Sequence, residues 1–302
     1  MKPSARVTRS LLLVTLASAC TRPAPTGAIV LVDDAGDTVR LAAPARRVVS
    51  LIPATTELLF AIGAGNAVAG RTHWDDYPAP AQAVPDVGDG LEPNLEAVLA
   101  RRPDLVLLYR GSGTAAAADR LRGLGIPTLL LRTDRLEDVP RVARILGAAT
   151  GHVASADSLD AAYRRALDSA SVPPSAGAPA RPSARPSVLL LAWEDPPLTI
   201  GAGSFLDELV ERAGGRNVFH DLAAASGPVS LEAIAARDPD LILSVGDGTP
   251  TIAGRPEWRA VRAVREGRFV HVSGSEFARP GPRSPLAVSE LRAALARAEG
   301  AR

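Results

Sequence analysis

In the stretch PNLEAVLARRPDLVLLYR the apolar positions fall at Leu95, Val98 and Leu99, one face of a short helix. After the break at Pro103 they close up into the unbroken apolar run of residues 105–108. The same pattern returns in VSLEAIAARDPDLILSVG, with Leu231, Ile234 and Ala235, then Pro239, then the run 241–243. Leu95 aligns with Leu231, Glu96 with Glu232, Ala97 with Ala233, Arg101 with Arg237 and Pro103-Asp104-Leu105 with Pro239-Asp240-Leu241, without a gap. An apolar run with no alternation predicts a strand covered on both faces, the kind found in parallel sheets flanked by helices. Repetition over such a distance predicts two similar α/β lobes, since solenoid repeats are much shorter.

The remaining pattern fits around this pair. Residues 28–41 alternate apolar and polar on either side of Asp34-Ala35-Gly36-Asp37, which predicts a hairpin. An apolar strand at 48–51 leads to a helix through Ile62, capped by Thr55 or Thr56 and ended by Gly63 and Gly65. A short strand at 67–70 precedes the polar and aromatic loop RTHWDDYP, and a helix at 115–124, a strand at 128–131 and a helix at 136–146 follow the first repeat copy. Strands alternating with helices at this spacing imply a parallel sheet. These elements make up an amino-terminal lobe with its leading hairpin over residues 28–148. Residues 149–171 contain no proline and place Leu159, Ala162, Tyr163, Ala166 and Leu167 at helical spacing, predicting one long helix between the lobes. A Pro/Ala/Ser-rich loop is expected at 172–187 and a carboxy-terminal lobe at 188–302. That second lobe is expected to hold a strand at 188–192, a helix at 204–213 ended by Gly214-Gly215, a helix at 257–265, a strand at 269–272 and a closing helix at 285–298.

At the amino end, Lys2, Arg6 and Arg9 precede the apolar residues 11–16 and then small residues up to Cys20. Charged, apolar, then small is the order of a secretory signal, here 1–19. The apolar run is too short to span a bilayer as a stable helix. Leu-Ala-Ser-Ala-Cys resembles a bacterial lipoprotein box with its leucine one place early, making Cys20 the expected lipid-bearing residue and 20–27 a tether. Ala17-Ser18-Ala19 also serves as an ordinary small-x-small cleavage site.

Composition narrows the chemistry. The 302 residues are 46% hydrophobic, enough for a substantial core in two lobes. Net charge is +1, from 34 basic and 33 acidic residues, which argues against nucleic acid as a partner. Lys2 is the only lysine and lies in the signal, so the exported chain has no P-loop lysine and no Schiff-base lysine. Cys20 is the only cysteine, which excludes an intrachain disulfide and a thiolate zinc cluster. His73, His152, His220 and His271 form no helix-face pair, so no metal site and no resident cofactor are expected.

Ligands of open parallel sheets bind outside the carboxyl ends of the strands. There the amino-terminal lobe offers Pro53 and Thr55, then Thr72, His73 and Trp74, then Tyr109 and Arg110, then Arg132; the carboxy-terminal lobe offers Trp193 and Glu194, Gly246 and Asp247, and Ser275, Phe277 and Arg279. Aromatic residues are only 4% of the chain, so two of its three tryptophans at these ends stand out. Aromatic faces with a few arginines suit a large, partly flat or anionic ligand held between lobes. Trp74, Tyr109, Arg110, Trp193, Phe277 and Arg279 are the candidate ligand contacts. No nucleophile, base and orienting acid occur together in these loops, so no enzyme activity is expected.

RVVSLIPATTELLFAIGAG, DDYP and PNLEAVLARRPDLVLL, with PPLTIGAGSFLDELVERAGGRNVF, VSLEAIAARDPDLIL and FARPGPRSP, resemble periplasmic substrate-binding proteins of the iron-siderophore and cobalamin type, nearest the cobalamin-binding branch. The resemblance runs from about Ala28 to the end. It implies the class III architecture, two α/β lobes with mainly parallel sheets bridged by a single long helix, and limited hinge closure. It also implies an exported monomer that takes a corrinoid or iron chelate and delivers it to an ABC permease and its ATPase. By motif position Glu96 and Glu232 are the residues that dock on the permease, while Trp74, Tyr109 and Arg279 match ligand contacts. Gly88-Asp89-Gly90 and Ser226-Gly227-Pro228 lack the aromatic residue that relatives carry in those loops.

Overall fold

The apolar runs become the strands of two sheets. The computed structural model of the chain describes residues 27–172, 185–246 and 250–300. The expected signal, Cys20, most of the Pro/Ala/Ser loop and Asp247 lie outside the described residues.

The leading hairpin forms as expected. Strands β1 (Ile29–Val32) and β2 (Thr38–Leu41) pair antiparallel, and the Asp33 carboxylate accepts the turn's Ala35 and Asp37 N–H groups, each at 2.9 Å. Asp33 also accepts from Leu130 N–H at 3.1 Å, fastening the hairpin to the first lobe. That lobe runs β3 (Val48–Ser50), α1 (Pro53–Ala61), β4 (Val68–Gly70), α2 (Leu95–Ala100), β5 (Leu105–Tyr109), α3 (Ala115–Gly123) and β6 (Thr128–Leu131). Its sheet is wholly parallel, in the order β4-β3-β5-β6.

Helices α4 (Asp138–Thr150) and α5 (Val153–Ala170) follow. The second lobe then runs β7 (Ser187–Glu194), β8 (Pro197–Ile200), α6 (Phe205–Ala213), β9 (Arg216–Asn217), β10 (Ser226–Pro228), α7 (Leu231–Arg237), β11 (Leu241–Val245), α8 (Arg262–Arg265), β12 (Phe269–Val272) and α9 (Ser284–Gly300). Its sheet has the order β10-β8-β7-β11-β12, with β9 also on β7. Strands β7, β9, β11 and β12 are parallel, and β8 and β10 form an antiparallel edge.

Each sequence repeat places its short helix ahead of a central strand, β5 or β11. Successive side chains of a strand point to opposite faces, and the packing follows that rule. Leu105 and Leu107 join one core while Val106 and Leu108 join another; Leu241 and Leu243 likewise part from Ile242. The cluster holding Leu105, Leu107, Leu241 and Leu243 is continuous through both lobes and includes Tyr163 and Leu167 of α5 and Leu291 of α9. Helix α5 packs on α4 of the first lobe and on α9 of the second, so the bridge is welded into a shared core.

The repeated Pro-Asp step has a structural role. Asp104 accepts from the Arg46 and Arg47 N–H groups at 2.8 and 2.9 Å, and Asp240 accepts from the N–H and hydroxyl of Ser187 at 3.0 and 2.8 Å. Each carboxylate thereby pins the amino end of the neighbouring strand, β3 or β7.

Three expectations are corrected. Helix α1 starts at Pro53, whose fixed φ suits the first helical position; Thr55 and Thr56 lie inside it, their hydroxyls donating to the Ile52 carbonyl and Ser50 Oγ at 2.8 and 2.9 Å. The bridging helix begins at Val153, because Gly151 takes a left-handed φ of 78° and separates it from α4, which continues to Thr150. Residues 257–265 do not form one helix; a 3-10 turn over Pro256–Ala260 and the single turn of α8 are divided by extended Val261, and both Trp258 and Val261 are buried.

Candidate ligand cleft

Loops at the carboxyl ends of the two sheets meet at the junction of the lobes. The loop after β4 reaches the loop after β12: Arg279 donates to Asp76 at 2.5 Å and to the Trp74 carbonyl at 3.5 Å, and the Arg283 guanidinium lies 4.1 Å from the Tyr77 ring centre. Behind them Glu57 of α1 accepts from Arg279 at 3.0 Å and from Arg283 at 2.9 and 3.0 Å. On the α6 side Glu208 accepts from the Arg135 side chain at 2.6 Å and from Leu136 N–H at 2.9 Å, a second tie between lobes.

Within the first lobe a concavity of about 220 Å³ lies between the ends of β3 and β5 and the loop after β4. Ile52, Pro53, Trp74, Leu91 and Tyr109 give it an apolar lining, and Asp89 is its carboxylate. The local sequence sets Trp74 outward: Asp75 accepts from the N–H and hydroxyl of Thr72 at 3.0 and 2.5 Å, and that hydroxyl accepts from Trp74 N–H at 3.2 Å. Burial pushes the Asp75 carboxyl above its ordinary pKa, with the Thr56 and Thr72 bonds opposing. The indole is 61% exposed. Only glycine fits at Gly90, where an added Cβ would lie 2.1 Å from the Leu51 carbonyl oxygen. The loop carrying Asp89 and Leu91 therefore closes directly onto β3. The Leu91 N–H, donating to Asp89 at 2.7 Å, holds that carboxyl below its usual range, with help from the Trp74 indole.

Tyr109, at the end of β5, donates its hydroxyl to Asp134 at 2.8 Å. Burial and that carboxylate push the phenol's pKa up. The hydroxyl is engaged away from the concavity, so Tyr109 contributes its ring.

The second lobe has a more polar concavity of about 360 Å³ at the ends of β7 and β11, with Trp193, Glu194, Asp195, Thr251 and Arg255 in its walls. Trp193 is 65% exposed, its indole N–H donating to the Asp195 carbonyl at 3.0 Å. Glu194 accepts from the Thr251 N–H at 2.9 Å and from the Thr251 hydroxyl, and Arg255 pairs with Asp195 at 3.2 Å.

The candidate contacts thus divide. Trp74 and Tyr109 line the first-lobe concavity and Trp193 the second-lobe one. Arg110 follows β5, is exposed and donates its backbone N–H to the Leu131 carbonyl. Phe277 is a correction: its 3-10 turn directs the ring inward, it is 2% exposed and it belongs to the shared core. Arg279 is held by Glu57 and Asp76 as an inter-lobe tie. Sequence reasoning missed Glu57, Asp89, Leu91, Arg255 and Arg283. The one available signal was Glu57 itself, a carboxylate set among the apolar residues of PATTELLFA.

Glu96 and Glu232 are exposed and occupy the same place in the repeat, second in their helices. The preceding Asn94 and Ser230 cap those helices, accepting from Ala97 and Ala233 N–H at 3.1 Å each. The Glu232 carboxyl is held below its ordinary pKa by its own backbone N–H and by Ser230. Among the described residues there is no cluster of three or more His, Cys, Asp or Glu able to hold a metal ion, and no helix long and apolar enough to cross a membrane.

Residues 48–275 match the family model described as periplasmic binding protein. The chain belongs to the periplasmic binding protein family. Two lobes with mainly parallel sheets and a bridging helix are its class III arrangement. Among relatives, the vitamin B12-binding protein of Salmonella typhimurium is 30% identical over 83% of this chain and 90% of its own length. An ABC transporter substrate-binding lipoprotein of Bacillus subtilis is 30% identical over 87% of this chain and 84% of its own. A periplasmic heme binding protein from Pseudomonas aeruginosa superposes with a TM-score of 0.69 at 25% identity, covering 83% of this chain and 92% of its own. Within this periplasmic binding protein, the linings of both concavities lie inside the matched segment, while the amino-terminal hairpin, Arg279, Arg283 and α9 lie outside it.

Proposed function

We propose that this protein is the solute-binding component of an ABC importer, capturing a corrinoid ligand between its lobes and delivering it to a membrane permease and its ATPase. The observation that carries the reading is the set of exposed aromatic faces at the carboxyl ends of both sheets, Trp74 at 61% exposure and Trp193 at 65%, with the Tyr109 ring between β5 and the loop after β4. Large exposed rings in a concavity, held by their own hydrogen bonds, are preorganised to cover a flat apolar ligand. Relatives named as vitamin B12-binding proteins support the corrinoid, and the relative named as a lipoprotein supports export with a lipid on Cys20. Glu96 and Glu232, matched exposed carboxylates one on each lobe, are the surfaces offered to the permease.

Calorimetric titration of the purified, processed protein with cyanocobalamin tests this, with a ferric hydroxamate siderophore and haemin in parallel. Saturable one-to-one binding of cyanocobalamin at micromolar or tighter affinity is expected. Binding of only the siderophore or only haemin would keep the importer and replace its cargo, and silence with all three would overturn the reading.

A further inference from the structure

We infer that the cleft sorts its ligands by the charge of their rim, accepting a neutral or cationic molecule edged with amide-like donors and rejecting one edged with carboxylates. This rests on the corrinoid reading above and adds the chemical class of the ligand's periphery.

The arginines at the junction of the lobes are already engaged. Arg279 and Arg283, 16% and 15% exposed, are held by Glu57, with Asp76 and Glu276 as their second partners. Arg255, the only guanidinium in the walls of either concavity among the described residues, pairs with Asp195. Arg110 lies outside both linings. Against that, the walls present the carboxylates of Asp89, Glu194 and Asp195. Asp89 accepts from a backbone N–H and Glu194 from the N–H and hydroxyl of Thr251, and neither forms an ion pair among the described residues. Each half of the cleft therefore carries one carboxylate that no arginine pairs with among the described residues.

A ligand carboxylate entering beside them would lose part of its water and meet like charge, the arrangement by which a site excludes a competitor. An amide N–H entering the same space finds a charged acceptor, the stronger class of hydrogen bond. The apolar rings of Trp74, Tyr109 and Trp193 carry no preference between the two ligands, so the discrimination falls on Asp89 and Glu194.

The test compares dicyanocobinamide with dicyanocobyrinic acid, which share a macrocycle and axial ligands and differ in having amides or carboxylates at the rim. Their affinities are measured at one ionic strength for the wild-type protein and for Asp89→Asn with Glu194→Gln. Asp89→Asn keeps an acceptor oxygen for the Leu91 N–H, and Glu194→Gln keeps one for the Thr251 N–H while its amide NH2 can donate to the Thr251 hydroxyl. The wild type is expected to prefer the amide by about a hundredfold, and the double variant to lose at least about tenfold of that preference through tighter binding of the acid. Equal wild-type affinities, or a preference unchanged in the double variant, would overturn the charge rule while leaving the corrinoid reading in place. If the wild type binds neither compound nor cyanocobalamin, the corrinoid reading itself fails, and this inference with it.

Discussion

Glu57 accepts two hydrogen bonds from Arg283, 2.9 and 3.0 Å long, across 226 residues of sequence and from one lobe to the other. With Arg279 on the same carboxylate, the contact joins α1 to the segment leading into α9, and Glu57 is only 3% exposed. A buried ion pair adds little net stability over an apolar replacement of both partners, but removing one partner leaves the other charge buried and unmatched. Glu57→Ala is therefore expected to lower the unfolding free energy by about 3–5 kcal/mol, read from urea titrations. A loss within experimental error would mean that solvent already satisfies the two arginines.

The paired clamps at Asp104 and Asp240 make a second prediction. Asp104→Ala and Asp240→Ala should each cost about 1–3 kcal/mol, the penalty of leaving strand-end donors without acceptors. Asp240→Ala should cost more, because Asp240 also binds the Ser187 hydroxyl and Arg262. Burial pushes the Asp240 carboxyl up, but the Ser187 backbone and hydroxyl and Arg262 outweigh it and hold the group below its ordinary value of 3.8. A depressed folded-state pKa stabilises at pH above the unfolded value, and the contribution disappears as pH falls through the folded one. The gap between wild type and Asp240→Asn in urea midpoint should be full at neutral pH and narrow as pH drops below 3.8. A gap that is constant with pH would contradict the assignment.

The strands and repeat were legible because an apolar run closed by Pro-Asp has few local alternatives, and the hairpin because Asp33 to Asp37 can satisfy its own turn. Arg279 shows where such reading stops. Its place after β12 suggested a ligand contact, yet its partner Glu57 lies 222 residues earlier, and no local pattern encodes that pairing. Phe277 fails for a related reason: proximity to a strand end does not say whether a ring turns to the cleft or into the core. The β8–β10 edge went unread because Pro196, Gly201 and Gly203 resemble loop, while Gly201 and Gly203 are there to let the chain approach the backbone of residues 222–225. Of the three tryptophans, Trp74 and Trp193 near strand ends are exposed and Trp258 is buried, a division that the scarcity of aromatic residues does not itself encode.

Those aromatics carry a third prediction. Trp74→Ala and Tyr109→Ala should each weaken cyanocobalamin binding by about 1–3 kcal/mol if the rings are central contacts. Tyr109→Phe should bind within about twofold of wild type, because the hydroxyl is engaged with Asp134 and the ring is retained. Titration calorimetry of the three variants separates these cases. Undiminished affinity in both alanine variants would move the site away from the first-lobe concavity, and a large loss in Tyr109→Phe would give the hydroxyl, or the Asp134 it orders, a direct part in binding.

Glu96 and Glu232 carry the last prediction, on transport rather than capture. Neither side chain lines either cleft concavity, and both project from the amino ends of short helices that are already capped by Asn94 and Ser230. A carboxylate in a helix's first turn gains typically 0.3–1 kcal/mol from the helix dipole, so replacing the pair should cost about 1–2 kcal/mol of stability at most. If their purpose is to meet cationic side chains of a permease, Glu96→Ala with Glu232→Ala should leave ligand affinity unchanged and strongly reduce uptake, and each single variant should fall between. Charge-reversing arginines at both positions should abolish uptake, since like charges across a docking surface oppose association. Uptake assays with matched calorimetry distinguish the outcomes: normal uptake by the double variant would leave the glutamates with only their helix-end role, and lost ligand affinity would tie them to the cleft.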